Sequence, residues 1–227
     1  MMHGKKLIIW DWNGTLLNDI DACIASMNTM LKRRSMELID KDTYLRIFTF
    51  PVQKYYETIG FNFYRESFEQ LSVEYISLYK NGAVNSALQP GVVEALEQFT
   101  NKGLTQVVLS ASEQVSLENQ VEQHQLQHYF DALIGLNNNY AKSKLENAIH
   151  YLENSSILPN ETLLIGDTFH DYEVAKAIGC DCLLVNNGHQ NLSQYNLNHE
   201  MIINSLRDIL NTAEFKPANK DIINKNS

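Results

Sequence analysis

The sequence has no apolar run approaching the roughly 18–20 residues that a membrane-spanning helix needs, so a membrane partner is not expected. It is short of positive charge. Lys and Arg number 18 against 27 Asp and Glu, giving a net charge of −9 and a pI near 5.2. That balance argues against a nucleic-acid partner, whose surface demands clustered cations. An anionic small substrate stays compatible, because a bound divalent cation can reverse the sign of a local site. Cysteine is scarce: Cys23, Cys180 and Cys182 make an odd count with no second pair at ligand spacing. Zinc is therefore disfavoured, and the thiols read as reduced, buried small hydrophobes. The opening MMHGKKLIIWDWN meets polar residues too soon for a signal peptide, so a cytoplasmic location is the expectation. No internal repeat is found. What remains, a chain of 227 residues with 44% hydrophobic and 20% charged content, suits one substantial core, with or without a small accessory module.

Short apolar runs punctuate the chain at Leu7–Trp10, Val107–Leu109, Leu133–Ile134, Leu163–Ile165 and Leu183–Val185. Each reads as a buried parallel strand. Apolar residues at helical intervals lie between them: Val92, Leu96 and Phe99; Leu117 and Val121; Leu145, Ile149 and Leu152; Val174 and Ile178. This alternation predicts an α/β fold with a doubly wound, Rossmann-like parallel sheet. From Asn18 to about Leu88 the rhythm stops, and two apolar stripes, Ile20 to Leu31 and Phe68 to Tyr79, predict an inserted α-helical bundle. The expected division is a core of residues 1–17 and 89–213, a helical module over 18–88, and a frayed tail over 214–227. Asn81-Gly82-Ala83 and Pro90-Gly91 are expected as turns that return the chain to the core, near two hinge strands. The aromatic group Tyr55, Tyr56, Phe61, Phe63 and Tyr64 is read as packing within the bundle rather than as pocket lining. Asn137-Asn138-Asn139 reads as a loop.

The chemistry concentrates at strand ends. Ile8-Ile9-Trp10-Asp11-Trp12-Asn13-Gly14-Thr15 delivers a carboxylate to the carboxyl edge of a strand, where open α/β sheets bind ligands. A second strand ends in Ser110-Ala111-Ser112, and another in Gly166-Asp167-Thr168-Phe169-His170-Asp171. Acidic residues from separate strands can give a hard cation its oxygen ligands, while Ser110 and nearby N–H groups can hold phosphate oxygens. Lys142-Ser143-Lys144, at an expected helix start, supplies a cation to offset nucleophile and phosphate charge. Lys144 is preferred because it opens the amphipathic helix; Lys142 is the alternative. His170 has no second His or Cys at ligand spacing, so a structural or supporting duty is favoured over metal ligation.

Taken in order, these residues resemble the four motifs of the haloacid dehalogenase superfamily, and the likeness runs over nearly the whole chain. The helical insertion looks like that superfamily's first-type cap, and the phosphoglycolate phosphatase-like branch is the most similar. The resemblance implies a Mg2+-dependent phosphatase acting on a small phosphorylated metabolite. Asp11 would be the nucleophile. Asp11, the carbonyl of Asn13, and Asp167 would hold magnesium; Asp171 would hold the metal's waters or orient Lys144. Ser110, Ala111, Asn13, Gly14, Thr15 and Lys144 would surround the phosphate, with Thr15 bracing the loop. Ser110, Lys144 and position 13 complete the catalytic set.

One position departs from the pattern. Most phosphatases of this superfamily carry Asp two residues after the nucleophile, as acid and base; here it is Asn13. An amide cannot exchange a proton as a carboxyl group does, and such help is typically worth about 10²–10⁴-fold. Two readings follow: a phosphatase that relies on good leaving groups or on another proton donor such as His170, and a weak or inactive relative that binds a phosphorylated ligand or protein.

Overall fold

The computed structural model describes residues 3–136 and 144–211. The expected tail, the Asn137-Asn138-Asn139 loop and Lys142 lie outside these. The chain begins with β1 (Leu7–Trp10), whose residues are all buried, and β2 (Leu17–Asn18). Four helices follow, α1 (Ile20–Arg33), α2 (Lys41–Ile47), α3 (Val52–Ile59) and α4 (Phe68–Ala83). β3 (Ala87–Leu88) leads back to α5 (Val92–Asn101), β4 (Thr105–Glu113), α6 (Gln114–Gln123), β5 (Ala132–Leu136) and α7 (Leu145–Glu153). The last elements are β6 (Thr162–Gly166), α8 (Phe169–Ile178), β7 (Asp181–Val185), β8 (Ile202–Ile203) and α9 (Leu206–Asn211).

The main sheet has six strands in the order β5-β4-β1-β6-β7-β8, and every neighbouring pair is parallel. Successive β1 residues divide between two apolar layers, as the period of a strand requires. Ile8 and Trp10 pack with Leu96, Phe99, Val108 and Leu117, while Leu7 and Ile9 pack with Val107, Ala148, Leu164 and Val174. Both faces being covered explains why the strands are continuous apolar runs rather than alternating ones. β1 lies between β4 and β6, so the crevice opens at its carboxyl end, where the connections diverge to either side.

The four helices between β2 and β3 have their own core, including Met27, Leu31, Tyr44, Tyr56 and Leu71. The chain enters and leaves this cap through one antiparallel pair, Leu17 opposite Leu88 and Asn18 opposite Ala87. Three details differ from the sequence expectations. Asn81-Gly82-Ala83 is the last turn of α4 rather than a loop; Gly82 sits against Ala22 and Ser26 of α1, where a small residue suits the helix contact. Tyr55 and Tyr56 pack in the cap core and also line a cavity, and Tyr64 is exposed rather than packed. β8 is a two-residue strand too short to carry a pattern.

Candidate active site

Asp11 follows directly on β1, its N–H held by the carbonyl of Ile165 at 2.8 Å. Asp167 stands at the equivalent place after β6 and is fully buried. Asp171 sits in the first turn of α8, where it and Thr168 form a reciprocal cap. Carboxylate oxygens of Asp11, Asp167 and Asp171 all lie within 4.8 Å of one another. Lys144 enters this group from the N-terminal end of α7: its Nζ is 2.5 Å from Asp11 Oδ1 and 2.6 Å from Asp171 Oδ1. It also donates to the carbonyl of Leu109 at 3.2 Å, tying the end of β4 to the same point.

The loop after β1 is folded around these acids. Thr15 Oγ1 lies 2.8 Å from Asp167 Oδ1 and 3.2 Å from Asp11 Oδ2, bridging two strand ends. Gly14 has φ +77°, and a Cβ there would stand 2.3 Å from Asp167 Oδ2. Gly188, after β7, is under the same constraint at 2.1 Å. Both glycines permit the close approach of backbone to carboxylate. The Gly14 N–H donates to Asp19 Oδ1 at 3.0 Å and to the Leu17 carbonyl at 2.9 Å, so its part here is steric. Ser110 is fully buried, and its Oγ accepts the Ser112 N–H at 3.0 Å; Ala111 lines the cavity above.

Burial raises the pKa of Asp11 well above the usual carboxylate value; Lys144 opposes the shift, and Asp171 and Asp167 add to it. Asp167 is raised for the same first reason, burial. Burial pushes Asp171 upward too, but Lys144 and the Thr168 hydrogen bonds outweigh it and the net shift is downward. Asp11 and Asp167 are thus carboxylates short of counter-charge. Their hard oxygen donors, with those of Asp171 within 4.8 Å, fit a divalent cation such as magnesium. Asp171 has Oδ2 on Thr168 Oγ1 at 2.6 Å and Oδ1 on Lys144, which suits orienting the lysine.

The Asn13 side chain is fully committed. Its Nδ2 donates to Tyr79 OH at 2.7 Å and to Asp19 Oδ2 at 2.9 Å. Its Oδ1 accepts from Ser112 Oγ at 2.7 Å and faces Ser110 Oγ at 3.4 Å. Asp19 in turn accepts from Tyr79 OH at 2.7 Å and faces His189 Nε2 at 3.1 Å. The other ring nitrogen of His189 meets Tyr44 OH of the cap at 2.8 Å, and the main-chain N–H of His189 donates to Asp167 Oδ2 at 2.6 Å. Burial alone would lower the His189 pKa, but Asp19 and the neighbouring acids overcome it and hold it at about 9. Asp19 is pushed up by burial and pulled further down by His189, Tyr79 and Asn13.

Asp19 and His189 do not stand out in the sequence, where Tyr79 reads only as part of an apolar stripe and Ser112 only as part of a strand end. Asp19 carried a signal, an acid placed just before an apolar helical stripe, although its side chain does not cap α1. His189 could have been found by applying the strand-end rule to Leu183–Val185. His170 lies in the cavity wall with its ring stacked on Phe50, centroids 4.7 Å apart. Burial, followed by the charge of Lys144, lowers its pKa.

A family model described as haloacid dehalogenase-like hydrolase matches residues 8–185. Over 216 residues the chain is 22% identical to the tyrosine-protein kinase PtkA of Mycobacterium tuberculosis, covering 92% of this chain and 73% of that protein. It is 29% identical over 133 residues to the phosphoglycolate phosphatase of Aliivibrio fischeri, 58% of this chain and 55% of the relative. A solved haloacid dehalogenase-like hydrolase from Streptococcus pneumoniae shares the fold, with a TM-score of 0.79 at 19% identity over 92% of this chain and 99% of that one.

The Asp19–His189 pair gives a stability test. His189 is raised from 6.5 to about 9, so its contribution is full below pH 6.5 and is lost as the pH rises through 9. Asp19 is lowered, so its contribution is present above the ordinary carboxylate range and is lost only in stronger acid. Removing one partner of a buried pair costs about 3–5 kcal/mol, so His189→Gln should lower the Tm of metal-free protein by on the order of 10 °C at about pH 6. Melting curves should show the gap between variant and wild type narrowing as pH passes 9. A gap that stays constant across that range would show that the pair carries no charge.

Proposed function

The chain belongs to the haloacid dehalogenase-like hydrolase family, and we propose that it is a magnesium-dependent phosphatase that cleaves a small phosphate monoester through a phosphoryl group held transiently on Asp11. The observation that carries this reading is the Lys144 ammonium placed between Asp11 and Asp171, 2.5 and 2.6 Å away, in a buried cluster with Asp167. A carboxylate attacks a phosphate only when the negative charge of both is offset. Lys144 supplies part of that charge. Asp11, Asp167 and the Asn13 carbonyl would hold a magnesium ion, whose charge would offset that of the phosphoryl oxygens.

Asp11 forms a bond to phosphorus as the ester P–O bond breaks and the leaving oxygen departs as an anion that takes its proton from solvent; water then cleaves the aspartyl-phosphate, giving up a proton to solvent, releasing inorganic phosphate and restoring the carboxylate. Ser110 and the Ala111 N–H orient the phosphoryl oxygens, and Asp171 holds Lys144 in place. Thr15 fixes the spacing of Asp11 and Asp167. A purely ligand-binding role fits less well, because a binding site has no need to bury three carboxylates around one lysine. Residues 18–88 serve as the cap over this centre, and the expected substrate is a small phosphorylated metabolite.

The Asn13 hydrogen bonds favour a second reading for the same intermediate. An amide bound to Tyr79, Asp19 and Ser112 cannot activate water, so the phosphoryl group on Asp11 has time to pass to another hydroxyl. The likeness to a protein named as a tyrosine kinase gives this transfer a precedent. Adding a phenolic acceptor during turnover of 4-nitrophenyl phosphate separates the two: hydrolysis yields inorganic phosphate alone, and transfer yields phosphorylated acceptor.

Asp11→Asn should abolish magnesium-dependent turnover of 4-nitrophenyl phosphate, by at least about 10³-fold. Residual metal-dependent turnover near the wild-type rate, in clean protein, would remove Asp11 from the reaction. Asp167→Ala should weaken magnesium affinity and turnover together, as read by titrating activity with the metal; an unchanged metal dependence would move the ligand elsewhere.

Asn13→Asp should raise single-turnover rates on ethyl phosphate by about 10-fold or more, and on aryl phosphates much less, since only the alkoxide needs a proton to leave. The new carboxylate would face Asp19 where the amide nitrogen now stands at 2.9 Å. Two carboxylates that close raise the pKa of one of them, which favours its acid form. An unchanged or slower alkyl rate would mean that protonation does not limit the native enzyme.

A further inference from the structure

The cavity above Asp11 reaches into the cap and encloses about 180 Å³. Apolar cavities of about 150 Å³ already accept benzene, so there is room for a ring beyond the phosphate. Its cap wall is built from Phe48, Phe50, Tyr55, Tyr56, Phe68 and Tyr75. These rings brace one another: Phe48 meets Phe50 and Tyr55 edge to face at 5.5 and 5.3 Å. The wall is therefore a formed surface.

The charges facing the cavity are as informative as the rings. Among the described residues its basic side chains are Lys144, His189, Lys80 and His170. Lys144 is held between Asp11 and Asp171, His189 by Asp19 at 3.1 Å, and Lys80 by Glu113 at 2.9 Å, while His170 Nδ1 lies 3.6 Å from Glu173 Oε2. Each of these four therefore already faces a carboxylate of this chain. A substrate with a carboxylate beside its phosphate, as phosphoglycolate has, would bury that charge against aromatic faces and near Asp19 and Glu113, at a large penalty. Two polar atoms in the wall have no partner and are shielded from solvent, Tyr55 OH and His170 Nε2. Both can bond to an uncharged polar group.

We infer that the substrate's leaving group is an uncharged, ring-sized apolar body, an aromatic alcohol rather than a small hydroxy acid, seated among Phe48, Phe50 and Tyr55. This rests on the phosphatase reading for the phosphate end and deepens it at the other end. Burial of a phenyl ring is worth about 10–100-fold in affinity.

Binding of phosphonates separates the inference from turnover. Magnesium-loaded full-length protein is titrated calorimetrically with ethylphosphonate, 2-phenylethylphosphonate and phosphonoacetate. The expected result is affinity for 2-phenylethylphosphonate at least 10-fold above ethylphosphonate, with phosphonoacetate the weakest, and a several-fold smaller phenyl preference in Phe50→Ala. Phosphonoacetate binding as well as or better than the phenyl compound, or equal affinity for ethyl and phenylethyl, overturns it. Turnover of 4-nitrophenyl phosphate is measured in parallel. Activity without the phenyl preference sinks this inference alone; the preference without activity sinks the phosphatase reading and leaves an aryl-phosphate binding site.

Discussion

Three buried carboxylates within 4.8 Å of one another set the terms for the rest of this molecule. Left alone they would repel and draw protons. The fold answers with one lysine, delivered by the start of α7 into the gap between Asp11 and Asp171. Around that ion pair the polypeptide approaches with no side chain in the way. Gly14, Gly166 and Gly188 come so near the acids that a methyl group would stand 2.3, 2.3 and 2.1 Å from a carboxylate atom. The sheet order follows the same logic, because only strands flanking β1 can end close enough to share the charge.

The cap is attached through more than its two hinge strands. The segment after β7 reaches α2 and the turn that follows it: His189 meets Tyr44 OH, Gln190 Nε2 donates to the Phe48 carbonyl at 2.9 Å, and the Asn191 N–H donates to the Leu45 carbonyl at 3.0 Å. On the opposite side Lys80 of α4 pairs with Glu113 of β4. A carboxyl-terminal strand of the core thus helps to fix the aromatic wall, and His189 serves acid cluster and cap at once.

Much of this could be read from the residues alone. The five apolar runs are strands because a doubly covered parallel sheet demands continuous hydrophobicity, and Asp11, Ser110 and Asp167 were found because they end such runs. Lys144 was legible as the opening residue of an amphipathic helix. What was hidden depends on partners distant in sequence. Asp19 and His189 are 170 residues apart, and each alone is an ordinary polar residue near a turn. Gly82 looked like a loop because a glycine's local preference is a turn; contact with α1 overrides it. The aromatic cluster was weighed as packing or pocket, and Tyr55 and Tyr56 are both, since a thin helical cap has its core directly behind its binding wall.

Asn13 stands where three parts of the chain meet: the loop after β1, Ser112 at the end of β4, and Tyr79 of α4. Its amide is used up in joining them. The Nδ2 is shared between Tyr79 and Asp19, and the Oδ1 is taken by Ser112. One side chain two residues after Asp11 therefore ties the helical module to the ends of β1 and β4, so that any substitution there alters the seam between the two cores as well as the chemistry beside the acid cluster.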